Sequence, residues 1–529
     1  MRRWTRRAFV GAGVGAAAAA SAPFVLTRRA VAGSIVGASM ETAHRLRARD
    51  FPPPSRRIEV PVAILGGGIA GLGAAWRLDR SGAGDFLLFE LEDSAGGNAR
   101  SGRNGVSAYP WGAHYVPVPN AESRAVLDLF RDLGVITGAD GAGRPVYDER
   151  FLCFAPQERI FAEGEWEEGI FPRRGASRED LDQLRDFGQA MEEWRRKEVF
   201  RIPLDLSERD PEILALDRVS MEEFLRRNGW TSPRLRWYVE YGCRDDYGCV
   251  LSTTSAWAGL HYFASRRGPD PADGGTPVLT WPEGNGWIVA RIAERLGSRL
   301  RCGWLVTRVA PGSDGVRVEV FDAARGDSVE VACRFAILAL PRFVAAHVVE
   351  PWRASPPDWM PAFTYAPWMV ANLTVDRVPA GRGFEPAWDN VIHGSESLGY
   401  VVATHQSLST APGPSVLTYY RPFTGPDPGE ERRRMASRSW ADWRDEILAD
   451  LSRAHPDVAS LVRTIDVMRW GHAMIRPAPG FIWGEGRRRA AEPLGALHFA
   501  HSDLSGLSLF EEALDRGVSA ADSVLRRLR

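Results

Sequence analysis

Six residues, Gly66-Gly67-Gly68-Ile69-Ala70-Gly71, carry a spacing that suits the binding of a dinucleotide pyrophosphate. In Gly-x-Gly-x-x-Gly the first glycine, here Gly66, permits a tight turn. The second, Gly68, lets backbone approach a phosphate, and the third, Gly71, lets a helix pack closely on a strand. Ile69 and Ala70 lie where a helix would present free N–H groups to the phosphates. An acidic residue should follow about 20 residues on, to hold a ribose hydroxyl pair. Glu90 stands 19 residues past Gly71.

That chemistry requires a strand, a turn, a helix and a second strand in order. Residues 59–65 form a short, apolar, β-branched run and predict a buried strand directly before the glycines. Leu72, Ala75 and Trp76 share one face of the helix expected next. Phe86-Leu87-Leu88-Phe89 predict the second strand, which ends at Glu90.

Further motifs identify the nucleotide. Gly96-Gly97-Asn98-Ala99-Arg100 resembles the Gly-Gly-Arg signature of the amine oxidase, protoporphyrinogen oxidase and phytoene desaturase superfamily. Pro110-Trp111-Gly112-Ala113-His114-Tyr115 resembles the segment that this family lays along its flavin ring. Trp281–Gly286 opens a helix expected to run to about Leu296. Val306-Thr307-Arg308-Val309 resembles the strand whose first valine contacts the adenine. Residues 335–341 resemble the family's apolar strand ending in proline, and residues 497–503 its Phe-Ala-Gly-x-Glu/Asp segment. The last helix starts at Ser508-Leu509-Phe510-Glu511, a capping-box pattern, with a core stripe of Leu514, Val518, Ala521, Leu525 and Leu528.

The resemblance implies an α/β protein. A discontinuous FAD-binding, Rossmann-like domain would comprise residues 57–120, 275–345 and 470–529. An inserted α+β substrate-binding domain would comprise 121–274 and 346–469. The implied FAD contacts are Gly66, Gly68, Ile69, Ala70, Gly71, Glu90, Gly97, Asn98, Arg100, Gly112, Ala113, His114, Val306, Asp503 and Phe510. Asp503 would meet the ribityl or phosphate region. Arg100 would supply the charge that Asn98, in place of the family's arginine, lacks.

No second glycine unit of this kind occurs, which disfavours a reductase fed by NAD(P)H. The first reading is an amine or polyamine oxidase or dehydrogenase, in which a small-molecule substrate passes a hydride equivalent to flavin N5. Oxygen or an external carrier would then take the electrons. Three departures from the family keep a desaturase or oxidase of an apolar substrate open, as well as a flavin-bound protein without turnover. No lysine occurs in Trp368-Met369-Val370-Ala371-Asn372, where many amine oxidases hold one near N5. The chain's one lysine, Lys197, ends a charged run that reads as a solvated helix face. Leu509 stands where an aromatic ring is expected, leaving Phe481 or Trp483 as its upstream mate, and Glu512 replaces a glycine. Asp245 or Asp246 could meet a cationic substrate, or form a structural pair with an arginine. His114 could act as a base or orient the flavin. His472 could be an acid–base group, or an ordinary core or surface histidine.

At 529 residues the chain is long enough for two or three domains. Its net charge of −1 favours neither nucleic acid nor an anionic membrane surface as a partner. Five cysteines lack metal-site spacing and read as buried thiols, with a Cys243–Cys249 disulfide as the alternative. Residues 1–35 open with Arg2, Arg3, Arg6 and Arg7 before an Ala/Gly-rich stretch, a twin-arginine-type export leader. The expected location is therefore periplasmic. Membrane contact is expected only through that leader, if it stays uncleaved.

Overall fold

The structure, a computed structural model, describes residues 30–267, 277–407 and 413–529. The arginine pairs and apolar stretch of the expected leader lie outside the described residues. Among the described residues, two large sheets organise the chain.

The first sheet has seven strands. Leu300–Cys302, Phe86–Glu90, Pro54–Leu65 and Asp327–Leu338 run parallel in that order. Gly315–Asp322 and Trp304–Gly312 continue it as an antiparallel meander. The last three residues of Asp327–Leu338 also pair in parallel with Leu497–Phe499, which returns the end of the chain beside its beginning. The two central strands end in the apolar runs 62–65 and 335–338, every residue of which is buried, as parallel strands covered on both faces must be.

Two helices fix this arrangement, Ile69–Arg80 and Phe510–Leu528. They touch through glycine. A Cβ on Gly517 would lie 2.0 Å from the Ala70 carbonyl oxygen, and one on Gly71 would lie 1.8 Å from that of Gly66. Only hydrogen fits at either place. On the last helix Leu514 and Ala521 are buried, and Val518, Leu525 and Leu528 pack partly buried against the same core.

The second sheet has eight strands, in the order Ile35–Val36, Val462–Ile475, Tyr365–Val375, Ser415–Pro422, Gly399–Val402, Asp389–Ile392, Glu158–Ala162 and Glu165–Glu168. One face packs on the helix Trp440–Ser452 through Trp443. The other carries Trp368, Val370, Val391, Val401 and Tyr420, and faces the helix Pro233–Tyr247. That helix packs with Arg178–Arg196, Met221–Arg227 and Ala256–Ala264 around Trp257 and Phe200.

Ala32 bridges to Thr464, and Ile35 and Val36 pair with Val467 and Met468, so the sheet already begins inside the stretch assigned to the leader. The boundary drawn at 470 lies within the strand Val462–Ile475, whose pairing with Tyr365–Val375 shifts register between Trp470 and Met474. All five cysteines are free. No helix among the described residues is long and apolar enough to cross a membrane.

Glu512, the residue in place of the family's glycine, is fully buried. Its Oε1 accepts the Leu204 backbone N–H at 2.5 Å, while Oε2 has no partner. Burial pushes its carboxyl up to about 7, although Arg516 and the Ser505 hydroxyl pull the other way. A carboxyl raised from its ordinary 4.5 favours the fold while neutral. Its contribution is complete below about pH 4.5 and is lost as pH rises through about 7. Glu512→Gln keeps an acceptor for Leu204 and removes the charge. It should stabilise the protein by about 2–3 kcal/mol near pH 8 and by little near pH 5. Denaturant unfolding at the two pH values measures the difference, and equal effects at both would refute a neutral Glu512.

Candidate active site

The glycine turn builds a cradle. Gly66 has φ +110°, and a Cβ there would meet the Ala339 carbonyl oxygen at 2.6 Å. Gly68 is the extended N-cap of the helix Ile69–Arg80 and lacks a side-chain cap. A Cβ on Gly68 would meet nothing within 4 Å, so the free N–H groups of Ile69 and Ala70 open onto space that a phosphate can enter. Glu90 is pinned at the end of its strand by the Gly67 N–H at 2.7 Å and the Glu92 N–H at 2.9 Å. Burial outweighs these two donors and holds its carboxyl above the usual range. The Gly96-Gly97 loop joins the turn through Gly96 N–H to Gly67 carbonyl, 2.8 Å. Val306 is buried in the adjoining strand.

Other residues take different places from those expected. The Arg100 guanidinium is paired with Glu92 and Asp93, each at 3.1 Å. Asn98 donates to the Ala473 carbonyl at 2.5 Å. Asp503 is buried; the Tyr365 hydroxyl at 2.6 Å and the Arg342 N–H at 2.9 Å donate to its carboxylate, and His501 Nδ1, which accepts the Asp503 N–H, lies 2.9 Å from it. Burial alone would raise its carboxyl, but these neighbours bring it below the usual range. The expected capping box is not formed. Ser508 Oγ instead accepts the Ile475 N–H at 2.9 Å, and Leu509 is the N-cap, with no side-chain bond. Phe510 stacks on Phe130.

A cavity of about 160 Å³ lies against the second sheet, with Asn98, Gly112, Ala113, His114, Ser508 and Phe510 on its wall. By the volume of a single site, that holds roughly ten waters or one small organic molecule. The His114 turn is tightly fixed. A Cβ on Gly112 would strike the Asn98 carbonyl oxygen at 2.3 Å. The Thr280 hydroxyl donates to the His114 carbonyl at 2.8 Å, and the Tyr420 hydroxyl to the Gly112 carbonyl at 2.9 Å. The imidazole stacks on Tyr420 at 4.7 Å and touches Trp388 at 5.4 Å. Burial pushes its pKa down to about 4, so His114 is neutral at ordinary pH and a weak base.

Opposite stand the carboxylates. Asp245 and Asp246 occupy the last turn of the helix Pro233–Tyr247, where the unpaired carbonyls give a partial negative charge. Asp246 is paired with Arg266 at 3.0 and 3.1 Å. Arg266 also feels Glu511, which is buried at the start of the last helix. Asp245 has no arginine of its own. The Tyr115 and Tyr262 hydroxyls bond it, but burial and the Asp246 charge hold its carboxyl above the usual range. Both aspartates line the cavity; Asp246 is paired with Arg266, whereas Asp245 has no arginine partner.

Trp368 and Val370, from the strand where the family's lysine was sought, line the same cavity, as does Leu509. Lys197 is exposed and pairs with Glu193 at 2.5 Å. Neither Phe481 nor Trp483 lines the cavity; they pack on Phe363 and Trp257. His472 is not on the wall either. It lies flat on Phe343 at 4.0 Å, with its pKa pushed down to about 4 by burial, which leaves it as a packing group. Sequence reasoning missed Asp389, Tyr420, Arg266 and Glu511. The first three sit in no motif and Glu511 was read only as part of a helix cap; the pairing of distant strands and helices brings all four to the cavity.

Comparison with known proteins agrees with this geometry. The family model described as flavin containing amine oxidoreductase matches residues 69–525. AofH of Mycobacterium tuberculosis, which bears the name of a flavin-containing monoamine oxidase, is 26% identical over 487 residues, 88% of this chain and 96% of its own. Putrescine oxidase, solved with putrescine bound, superposes with a TM-score of 0.66 at 17% identity, over 89% of this chain and 100% of that one. Cyclohexylamine oxidase of Brevibacterium oxydans gives 0.63 at 18% identity, over 89% and 100%. The two solved structures share the fold. The match over most of the chain, together with the glycine cradle and pinned Glu90 that suit its cofactor FAD, makes this protein an oxidoreductase that belongs to the flavin containing amine oxidoreductase family.

Proposed function

We propose that the protein is an exported enzyme that oxidises a small cationic amine, with oxygen or an external carrier as the final electron acceptor. One observation carries the substrate reading: Asp245 opens into the cavity without a cation of its own, at the negative end of a helix. An apolar substrate would desolvate that carboxyl for no return, which weakens the desaturase alternative. An ammonium would meet it as a charge-assisted hydrogen-bond donor.

FAD supplies the two-electron acceptor. The protein's own groups do the rest. Asp245 holds the ammonium, and its raised proton affinity lets the carboxyl take the proton that the amine must lose before oxidation. The Tyr115 and Tyr262 hydroxyls fix the carboxyl's orientation. His114, neutral and clamped through its backbone, is a wall and not a base. Trp368, Val370 and Leu509 keep the site apolar where other members carry a lysine and a ring. Export rests on the sequence alone, through Arg6 and Arg7 before an Ala/Gly-rich stretch.

Anaerobic mixing should bleach the bound flavin with amines, and not with polyenes or porphyrinogens. The reverse preference would exclude the amine reading. Gly68→Val should yield protein depleted of FAD, because the side chain enters the phosphate space; full flavin occupancy would mean that the nucleotide lies elsewhere. Asp245→Asn should weaken amine binding by about ten- to a hundred-fold. Lys197→Ala should change reduction by no more than about 0.5 kcal/mol. Abolished bleaching in the lysine variant at full occupancy would contradict the assignment of roles. In cells, Arg6→Lys with Arg7→Lys should stop export, as read by fractionation, and unchanged secretion would refute the twin-arginine route.

A further inference from the structure

Asp389 and Glu158 lie directly opposite each other on neighbouring parallel strands. Two residues further along the same strands, Val391 and Ile160 belong to the apolar cluster that contains Trp368, Val370 and Tyr420. Alternation along a strand therefore puts both carboxyls on the sheet face that carries the cavity, which Asp389 lines. Arg159 and Asn390, the residues between, turn the other way and bond each other at 2.6 Å. Asp389 lines the cavity wall and is held only by the Tyr241 hydroxyl and an Asn390 backbone N–H. Burial pushes the Glu158 carboxyl up to about 7, and no donor or charge offsets this.

Like charges in direct register across a strand pair repel. The fold could have met them with a cation, as Arg266 meets Asp246, yet none acts on this pair. Asp245 is close enough to raise Asp389, and Glu158 raises it further. The carboxyls thus follow one another away from the last helix: Asp246 beside Arg266 and Glu511, then Asp245, then Asp389, then Glu158. Between Asp245 and Asp389 the wall is aromatic, with Tyr115, Tyr241 and Tyr420. Such rings accept methylenes and also attract a cation over their faces.

We propose that Asp389 and Glu158 form a second cation subsite, which holds the far ammonium of a diamine or oligoamine while Asp245 holds the nitrogen to be oxidised. The proposal rests on the amine reading and adds its chain-length selection. Asp389 and Glu158 are specificity-determining residues; they need not touch the reacting carbon.

The test uses the full-length, FAD-loaded protein with two probes of equal carbon chain, putrescine and butylamine. Under anaerobic conditions the wild type should reach half-maximal flavin bleaching at about ten- to a hundred-fold less putrescine than butylamine, the value of a charge-assisted hydrogen bond. In the Asp389→Asn, Glu158→Gln double variant that advantage should fall to within about two-fold. Both substitutions are isosteric and remove a repulsion, so folding should survive. Thermal unfolding checks this and gives a second readout, since putrescine should raise the Tm of the wild type more than that of the variant. The wild-type comparison needs no variant at all. Equal use of the two probes by the wild type, or an undiminished putrescine advantage in the variant, overturns the second subsite and leaves the amine reading standing. Failure of every amine to bleach the flavin overturns both.

Discussion

Two close backbone approaches that only glycine allows hold the nucleotide-binding layer together, and the rest of the structure depends on them. Gly71 lies against the carbonyl of Gly66, and Gly517 lies against that of Ala70, each with room for a hydrogen and nothing larger. These two contacts seat the first helix on its strand and the last helix on the first. The helix Ile69–Arg80 can then aim its N-terminus at the phosphate space, and Phe510–Leu528 can bring its own start to the cavity. Residues more than four hundred positions apart are held in one layer by this packing, which has no slack for a methyl group. The parallel strand Leu497–Phe499 closes the same arrangement from below by pairing with Asp327–Leu338.

The second sheet solves a different problem. It must present polar groups to a cavity without leaving them unsatisfied. On its outer face the buried polar groups are matched: Arg159 donates to Asn390 and the Phe384 carbonyl, and Tyr400 meets His455. On the cavity side the pattern is lopsided. Arg266 answers Asp246 and stands beside Glu511, but Asp245 and Asp389 have only phenol hydroxyls and backbone N–H groups. Phenols orient a carboxylate and do not neutralise it. A surplus of negative charge in a low-dielectric space is costly unless a cation arrives, and that asymmetry carries the functional reading.

The departures from the family's pattern are compensated locally. Glu512 occupies a glycine position, and its carboxyl caps the Leu204 N–H across the interface with the helical cluster. Leu509 and Val370 give the cavity apolar surface where a ring and an amine were expected. Arg100, adjacent to the missing motif arginine, is tied into Glu92, whose carboxylate also accepts from the Ser39 N–H and thereby anchors the N-terminal segment.

Short-range chemistry was legible in the sequence. The Gly66–Gly71 turn, the strand to Glu90, the helix to Leu296 and the buried stripe of the last helix each depend on residues within a few positions of one another, where spacing alone fixes periodicity and turn geometry. The same holds for Lys197, whose charged neighbours already marked a solvated face. What the tertiary structure decided is what depends on side chains meeting from distant segments. Asp245 and Asp246 look equivalent in sequence; Arg266, arriving from beyond the next helix, takes one and leaves the other. His472 and His114 read alike until Phe343 covers the first and the cavity opens beside the second. Asp389 and Glu158 carry no motif, because their meaning lies in a register between strands more than two hundred residues apart. Pairing of that kind is set by which faces must be buried, a property of the whole sheet that no local pattern records.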